Sequence, residues 1–469
     1  MTKRREFLKK STLGTAGLAL GGVGTSAKSY KSIIGSNERI HHAVIGIRNQ
    51  GSVHINNWND LYESHNVRLK TLCDADESLF ASRSKMVFDK TGDNPMTEWD
   101  MRKVFDDKEI DSVSIVTPNH WHALATIWAC QAGKHVYVEK PASHNIWEGR
   151  KMIEAARKYN LRVQVGLNNR SYSNVREAIK FLHDGGIGEL YMARALCFKA
   201  RDSYGWAKDS EPPVTLHYDQ WLGPAPWRPY NEKRGHYSWH WFWSTGNGDT
   251  GNTGPHQLDI ARWGLNKNEH PVTVYSKGGI YGFNQDRQMP EDRTPGKMVY
   301  GEVETYGHDK SFQETPNTQT ALFQYHDGTM LEFEARGRYT NHEGSTGQGV
   351  GNLFYGSEGW LEIYGNNWNA FRGREKQPFA SSKPIEARQT VDHPKNFIDA
   401  IRSGSNASLN CDIREGFYSS SLPLLANISY RLKRELNFMG DYEKFLNDPE
   451  ADIMLTRRYR EPYVVPDEV

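Results

Sequence analysis

From about residue 40 onward, short apolar runs alternate with longer stretches whose apolar positions recur every three or four residues. The runs 41–46 (HHAVIG), 67–73 (VRLKTLC), 112–116 (SVSIV), 136–138 (VYV) and 163–166 (VQVG) have the length and β-branched content of buried strands. Helical patterns lie between them: one through Val53, Ile55, Trp58 and Leu61, then 77–88, 123–132 stopped by Gly133, and 146–159 with Ser143 as its N-cap. Strand and helix alternate across short connections, and right-handed crossovers then require a parallel sheet. After a helix at 174–183 the pattern changes. Runs at 189–198, 272–278, 320–325, 330–336, 352–355 and 360–364 are joined by polar loops, with Gly356-Ser357-Glu358-Gly359 as a hairpin turn. They predict a mostly antiparallel sheet whose open face can pair with a second subunit. Helical periodicity returns at 393–403 and 413–436, read as helices that pack back on the first domain. The tail from Pro449 shows no recognisable chemistry.

Chemistry-bearing residues fall where these strands end. The first strand runs into Gly46-Ile47-Arg48-Asn49-Gln50-Gly51 and then a helix. Backbone N–H groups and the helix dipole at such a turn cradle a pyrophosphate. Arg48 stands where the dinucleotide fingerprint places its second glycine, so its guanidinium lies over the cofactor or points to solvent. The second strand ends at Asp74, at the distance where dinucleotide folds put the acid that grips the adenosine ribose; a carboxylate there favours NAD and makes NADP less favoured. Capping of the following helix is the competing role for Asp74. The domain over 39–166 is therefore read as a Rossmann dinucleotide-binding domain, followed by an α+β domain over 167–440 and a tail over 441–469. The overall class is α/β.

The run Val136–Ser143, VYVEKPAS, ends on Glu139, Lys140 and Pro141. A lysine just beyond the C-terminal end of a parallel strand sits where open α/β sheets bind ligands, a good place for an acid/base. Thr117-Pro118-Asn119-His120-Trp121-His122 follows the third strand; its two histidines lack a third ligand at sensible spacing, so no metal is expected. Asn168, Asn169 and Arg170 enter the cleft region after the last strand of the domain.

The remaining composition narrows the ligand. Of 469 residues, 37% are hydrophobic and 25% charged, with a formal net charge of +1, which offers no electrostatic case for nucleic acid. The chain has 14 Trp and 23 Tyr, many between Trp206 and Trp263, including Trp239-His240-Trp241-Phe242-Trp243. Flat apolar faces with a polar edge suit stacking on sugar rings, although any single Trp more often fills a core. Cys73, Cys130, Cys197 and Cys411 have neither disulfide nor metal spacing. Lys3-Arg4-Arg5-Glu6-Phe7-Leu8-Lys9-Lys10, then a weakly apolar, glycine-rich segment to Gly24 and the small residues Thr25-Ser26-Ala27, resemble a twin-arginine export signal. The expectation is a signal and linker over 1–38, transfer by the twin-arginine machinery, a periplasmic or otherwise exported protein, and no membrane anchor.

The order GIRNQG, Asp74, TPNHWH, AGKHVYVEKP and VQVGLNNR resembles the glucose–fructose oxidoreductase, inositol dehydrogenase and MocA superfamily, especially its exported members. The resemblance implies an NAD-dependent oxidoreductase acting on a sugar, glycoside or cyclitol hydroxyl, an open-faced sheet domain, and homodimers or homotetramers. It implies that Lys140 is the active-site lysine, that Glu139 and Pro141 shape the nicotinamide end, and that Thr117, Asn119 and His122 line the cofactor cleft. The family's D-x-G-x-H appears here as Asn252-Thr253-Gly254-Pro255-His256, so the acid is replaced by an amide that orients a hydroxyl but takes no proton. Proton duties fall to His256, Lys140 or Asp249. Trp239, His240, Trp241, Arg170, Asn252 and His256 are the expected substrate contacts. Two alternatives stand beside this reading: a glycoside hydrolase that uses NAD transiently through oxidation, elimination and re-reduction, and a non-catalytic sugar-binding protein. The sugar and the carbon oxidised are not legible.

Overall fold

In the computed structural model, the described residues are 39–201, 205, 207–281, 313–347, 349–375, 377–384 and 389–469. The twin-arginine pattern and Trp206 lie outside them.

The first half is a doubly wound sheet. In chain order it comprises β1 (Ile40–Ile45), α1 (Asn49–Asp60), β2 (Val67–Cys73), α2 (Phe80–Thr91), β3 (Met96–Glu98), α3 (Met101–Asp106), β4 (Ser112–Ile115), α4 (Asn119–Gln131), β5 (His135–Val138), α5 (Ile146–Lys158) and β6 (Val163–Val165). The strand order is β3-β2-β1-β4-β5-β6, with every pair parallel. The order reverses between β1 and β4, and in such sheets ligands bind beyond the strand ends at that point. β3 and α3 escaped the sequence reading, because three residues leave no periodicity to read. Helix α5 is capped not by Ser143 but by Asn145, whose side chain accepts the Glu148 N–H; Ser143 donates its hydroxyl to the Asn145 carbonyl.

The second half follows with α6 (Ser173–His183), β7 (Leu190–Cys197), α7 (Tyr218–Leu222), α8 (Gly248–Asn252), α9 (Gly254–Gly264), β8 (Thr273–Gly279), β9 (Thr318–Gln324), β10 (Met330–Arg336), β11 (Val350–Gly356), β12 (Gly359–Tyr364), β13 (Asn367–Arg372) and β14 (Ala380–Ser381). It closes with α10 (Asp392–Ser403), α11 (Ile413–Leu432), β15 (Leu436–Met439), β16 (Lys444–Phe445) and α12 (Pro449–Ile453). Its ten-stranded sheet has the order β14-β13-β12-β11-β7-β10-β9-β8-β15-β16 and is antiparallel except for the β7–β10 pair. β9 alternates buried and exposed positions, as a sheet covered on one face must. Helices α9 and α11 cover that face. The opposite face carries an ion-pair lattice in which Arg194 meets Glu332, Glu334 and Glu343, and Arg336 meets Glu334 and Glu343.

Helix α11 joins the halves. Its N-cap residue Asp412 bridges to Gln164 of β6, and Gly416 lies against Val165. The tail is also part of the fold: Tyr463, Val465 and Val469 are buried, and Arg460 pairs with Asp219.

A methyl group at Gly416 would stand 2.2 Å from Val165 Cγ2. Gly416→Ala gains about 1 kcal/mol of helix propensity, but overpacking costs about 1–3 kcal/mol. We expect a net loss of stability, read as a lower denaturant midpoint at unchanged slope; an unchanged or raised midpoint would show that this contact is not tight.

Candidate active site

The cleft opens beyond β1, β2, β4 and β5. Gly46 has a φ of +87°, and an added Cβ would stand 2.7 Å from the Val116 carbonyl, so only glycine fits between the two strands. At Gly51 a Cβ would lie 2.0 Å from the Gly46 oxygen, which lets the first turn of α1 sit against the glycine turn. No side chain caps α1. Its leading N–H groups and the positive end of its dipole therefore face the cleft. Arg48 reaches Asp76 at 3.1 Å along the cleft wall, with its side chain still 35% exposed. Behind the turn, Ile47 is fully buried, and Arg83 donates to its carbonyl at 2.7 Å.

Asp74 accepts the Ile47 N–H at 2.8 Å and the Asp76 N–H at 3.0 Å. It does not cap α2. Asp76 caps the 3₁₀ turn Glu77–Leu79 that leads into that helix. Burial raises the Asp74 carboxyl to about 6 against those two hydrogen bonds. In the cleft wall, Thr117 Oγ1 and Asn119 Nδ2 are buried without a partner among the described residues. A turn only glycine can make, an uncapped helix, a desolvated acid and orphaned polar atoms fit a dinucleotide. The chain's own groups leave unfinished the contacts that phosphate and ribose would complete.

At the far end, Lys140 follows β5. Its Nζ donates to the Asn252 carbonyl at 2.9 Å and to Asn252 Oδ1 at 3.2 Å. Burial lowers its pKa; Glu139 opposes that shift, and Lys199 and Arg201 add to it. Glu139 is buried and accepts from His54 at 2.9 Å, Gln50 at 3.1 Å and the Lys140 N–H at 3.1 Å. Burial alone would raise its pKa; the hydrogen bond and charge of His54, with Lys140, outweigh this and bring it to about 2.

His240 lines the cleft, stacked on Trp239 with ring centroids 3.6 Å apart, its Nδ1 within 2.7 Å of the Tyr237 carbonyl. Burial brings its pKa to about 3. His256 lies near Lys140, and burial followed by the charges of Lys140 and Lys199 lowers it to about 4 against Glu139. Both rings are neutral at neutral pH.

Of the residues expected in the site, Gly46, Arg48, Asn49, Gln50, Gly51, Asp74, Thr117, Pro118, Asn119, His122, Glu139, Lys140, Trp239, His240 and Asn252 line this cleft. Others stand apart from it. Arg170 does not line the cleft: its Nε and Nη2 are held in a buried pair with Asp259, at 2.8 Å for Nη2. Asn168 accepts from the Tyr137 hydroxyl at 2.7 Å. Asp249 is buried against Arg201 at 2.7 Å, which removes it as a free base, and Arg201 lies over the Trp241 ring. Sequence reasoning missed Asp76, Tyr218, Trp221, Asn231, His236 and Tyr237, which the 208–240 insert and the β2 end bring to the cleft. It also missed Lys199 and Arg201, whose i, i+2 spacing directly after β7 was a usable signal. His120 and His122 bond to backbone carbonyls, and no cluster of three metal-binding side chains occurs among the described residues.

The Glu139 pKa has a consequence for stability. Because it is depressed from 4.5 to about 2, the folded state gains from the carboxylate above pH 4.5 and loses that gain as the pH falls toward 2. Glu139→Gln should cost about 1–3 kcal/mol at pH 7 and flatten the acid dependence of stability; chemical denaturation from pH 7 to pH 3 checks this, and parallel curves for the two proteins would contradict it.

Two family models match the chain. Residues 40–167 match the oxidoreductase family's NAD-binding Rossmann fold, and residues 204–280 and 364–465 match its C-terminal alpha/beta domain. Levoglucosan dehydrogenase of Pseudarthrobacter phenanthrenivorans is 29% identical over 171 residues, 36% of each chain. The alpha-N-acetylgalactosaminidase of Shewanella oneidensis is 28% identical over 170 residues, 33% of this chain and 36% of that protein. The matched region thus spans little more than a third of these relatives. Among solved structures, levoglucosan dehydrogenase with NADH and levoglucosan has a TM-score of 0.62 at 17% identity, covering 85% of this chain and 99% of that one. The aldose-aldose oxidoreductase of Caulobacter crescentus has a TM-score of 0.59 at 17% identity, covering 85% and 100%. At such identities the structural likeness speaks for the fold. The two matched domains, in this order along the chain, make it a member of the Gfo/Idh/MocA oxidoreductase family.

Proposed function

We propose that the protein is an NAD-dependent oxidoreductase acting on a carbohydrate CH–OH group, with Lys140 as the base. The observation that carries this reading is Lys140 itself: a lysine with a lowered pKa, held by Asn252 at the mouth of a cleft whose other end fits a dinucleotide. Bound NAD supplies a hydride acceptor. Asp74 would hold the adenosine ribose hydroxyls, the first turn of α1 the pyrophosphate, and Thr117, Asn119 and His122 the wall toward the nicotinamide. Lys140 Nζ takes the hydroxyl proton as the C–H bond weakens, a role open to a lysine whose neutral form is made accessible by burial and by neighbouring cations. His240 and His256, both neutral, donate or accept a hydrogen bond without competing for the proton. Asn252 orients Nζ, and the Trp239 ring offers a face for the sugar.

The relatives support the substrate class, since those named act on levoglucosan, aldoses and a galactosaminide. The twin-arginine pattern supports export of an already folded protein, and the polar ion-pair lattice on the sheet face away from α9 and α11 supports use of that face for self-association. Export in a folded state favours a protein loaded with its cofactor beforehand.

Lys140→Ala should lower kcat by about 10²–10⁴-fold while leaving NAD affinity within a few-fold. The alkaline-rising limb of kcat/KM, which in the unmutated protein lies below the ordinary lysine value, should disappear. A loss of less than tenfold at saturating sugar would remove Lys140 from the role of base. Aglycone release from glycosides without net NAD reduction would instead favour the hydrolase route.

Denaturing protein purified from its exported form should release NAD and not NADP, and Asp74→Ala should narrow the preference between the two. Equal affinities in the unmutated protein would refute the role given to Asp74.

A further inference from the structure

The wall that carries Trp239 and His240 has a second side. Beyond it lies another cavity, of about 710 Å³, lined by Phe242, Trp243 and Ser244. The volume falls within the range of roughly 300–1,000 Å³ typical of small-molecule sites. The loop after β5 is divided in the same way, with Lys140 in the cleft and His144, Asn145 and Ile146 in this cavity. Leu424, Ile428 and Met454 supply apolar lining.

The lining charges are mostly positive, although Arg234 also pairs with Asp209 at 3.0 Å and Glu148 acts on Arg457. Arg228, Arg234, Arg431, Arg457 and Arg458 line the cavity, and Glu314 is the one carboxylate among its described lining residues. Glu314 is engaged already, accepting from Arg228 at 2.6 Å and from the Trp243 N–H at 2.9 Å. Arg457 is held by the Ser244 carbonyl at 3.0 Å and lies 3.1 Å from His144 Nδ1.

Three of the unmet hydrogen bonds around the cavity belong to donors, and a fourth buried atom without a partner among the described residues is His144 Nε2. Asn247 is only 6% exposed, and its Nδ2 has no partner; Trp243 Nε1 and Arg228 Nη1 are likewise buried without an acceptor among the described residues. All three are donors on residues that line the cavity. Donors set into the wall are satisfied when an acceptor-bearing ligand draws the side chains inward, and leaving them unmet costs about 1–3 kcal/mol each.

We propose that this cavity is a second carbohydrate site, specific for an acidic sugar whose carboxylate meets Arg228 and Arg457 and whose ring packs beside Trp243. Excess arginine charge selects the carboxylate, since a guanidinium matches it geometrically. Aromatic and aliphatic lining selects the ring over a bare anion. The proposal does not depend on the chemistry assigned to Lys140, because of the lining residues only Arg234 is common to both spaces.

Calorimetric titration of the full-length protein with glucuronate, glucose and sulfate tests it. Saturable binding of glucuronate is expected, with glucose and sulfate each at least about tenfold weaker. Arg228→Lys, which keeps a cation beside Glu314, and Trp243→Phe, which keeps the ring but removes its donor, should each weaken glucuronate by roughly three- to tenfold. Lys140→Ala should leave the affinity within twofold, while the kinetic reading of that variant stands or falls separately. Sulfate binding as tightly as glucuronate would overturn the sugar assignment. So would an absence of saturable heat up to about 10 mM glucuronate, or binding lost in Lys140→Ala and kept in Trp243→Phe, which would place the ligand in the cofactor cleft. If Arg228→Lys fails to fold, Trp243→Phe decides alone.

Discussion

The buried carboxylate of Glu139 is the constraint on which the active-site geometry depends. It ties α1 to the end of β5: His54 and Gln50 of α1 donate to it, as does the backbone N–H of Lys140. A charge this deep is tolerated because it accepts three hydrogen bonds, and the hydrogen bond and charge of His54, with the charge of Lys140, hold its pKa near 2 despite burial. Its network continues inward. His54 lies 3.3 Å from the Ser114 hydroxyl, which also accepts from Trp58 at 2.9 Å and meets His42 at 2.9 Å. The phosphate end and the lysine end of the cleft are thus positioned by one polar cluster in the parallel sheet, so neither can shift alone.

Around Lys140 the charges conflict, and the conflict is useful. Glu139 favours the ammonium; burial, Lys199 and Arg201 oppose it, and the opposing influences win. Lys199 and Arg201 come from the second domain, just after β7, whereas Glu139 comes from the first. The proton affinity of the lysine is therefore decided where the two domains face each other. Asp249 prevents the cationic side from growing too large by pairing with Arg201, which explains why this acid is not available as a base.

The segment from Trp239 to Asn247 separates two spaces of different lining. Toward the cleft it shows Trp239 and His240 beside a lysine; away from it, Phe242, Trp243 and Asn247 stand among arginines. Glu314 fastens the far side through the Trp243 N–H, and Asn427 of α11 donates to the Asn247 carbonyl at 3.0 Å. Asn252, which holds Lys140, ends the short helix that follows Asn247, so the wall is mechanically continuous with the lysine proposed as the base.

Much of this was legible in the sequence. The period of apolar residues identified β1, β2, β4, β5 and β6, and the ends of those strands pointed to Gly46, Asp74 and Lys140, because ligand position in a parallel sheet follows from chain direction alone. Turn glycines are legible for a similar reason: Gly46 is required by its own backbone and its immediate neighbour strand. What the sequence could not decide was which polar residue spends itself on another far away in the chain. Arg170 looks like a ligand residue until Asp259, 89 positions on, takes it, and Asp249 looks like a base until Arg201 does. The tail looked inert, yet Arg457 lines a cavity together with Arg228. Periodicity and turn chemistry act over a few residues and are written locally, whereas the pairing of charges depends on distances that only the packed chain sets.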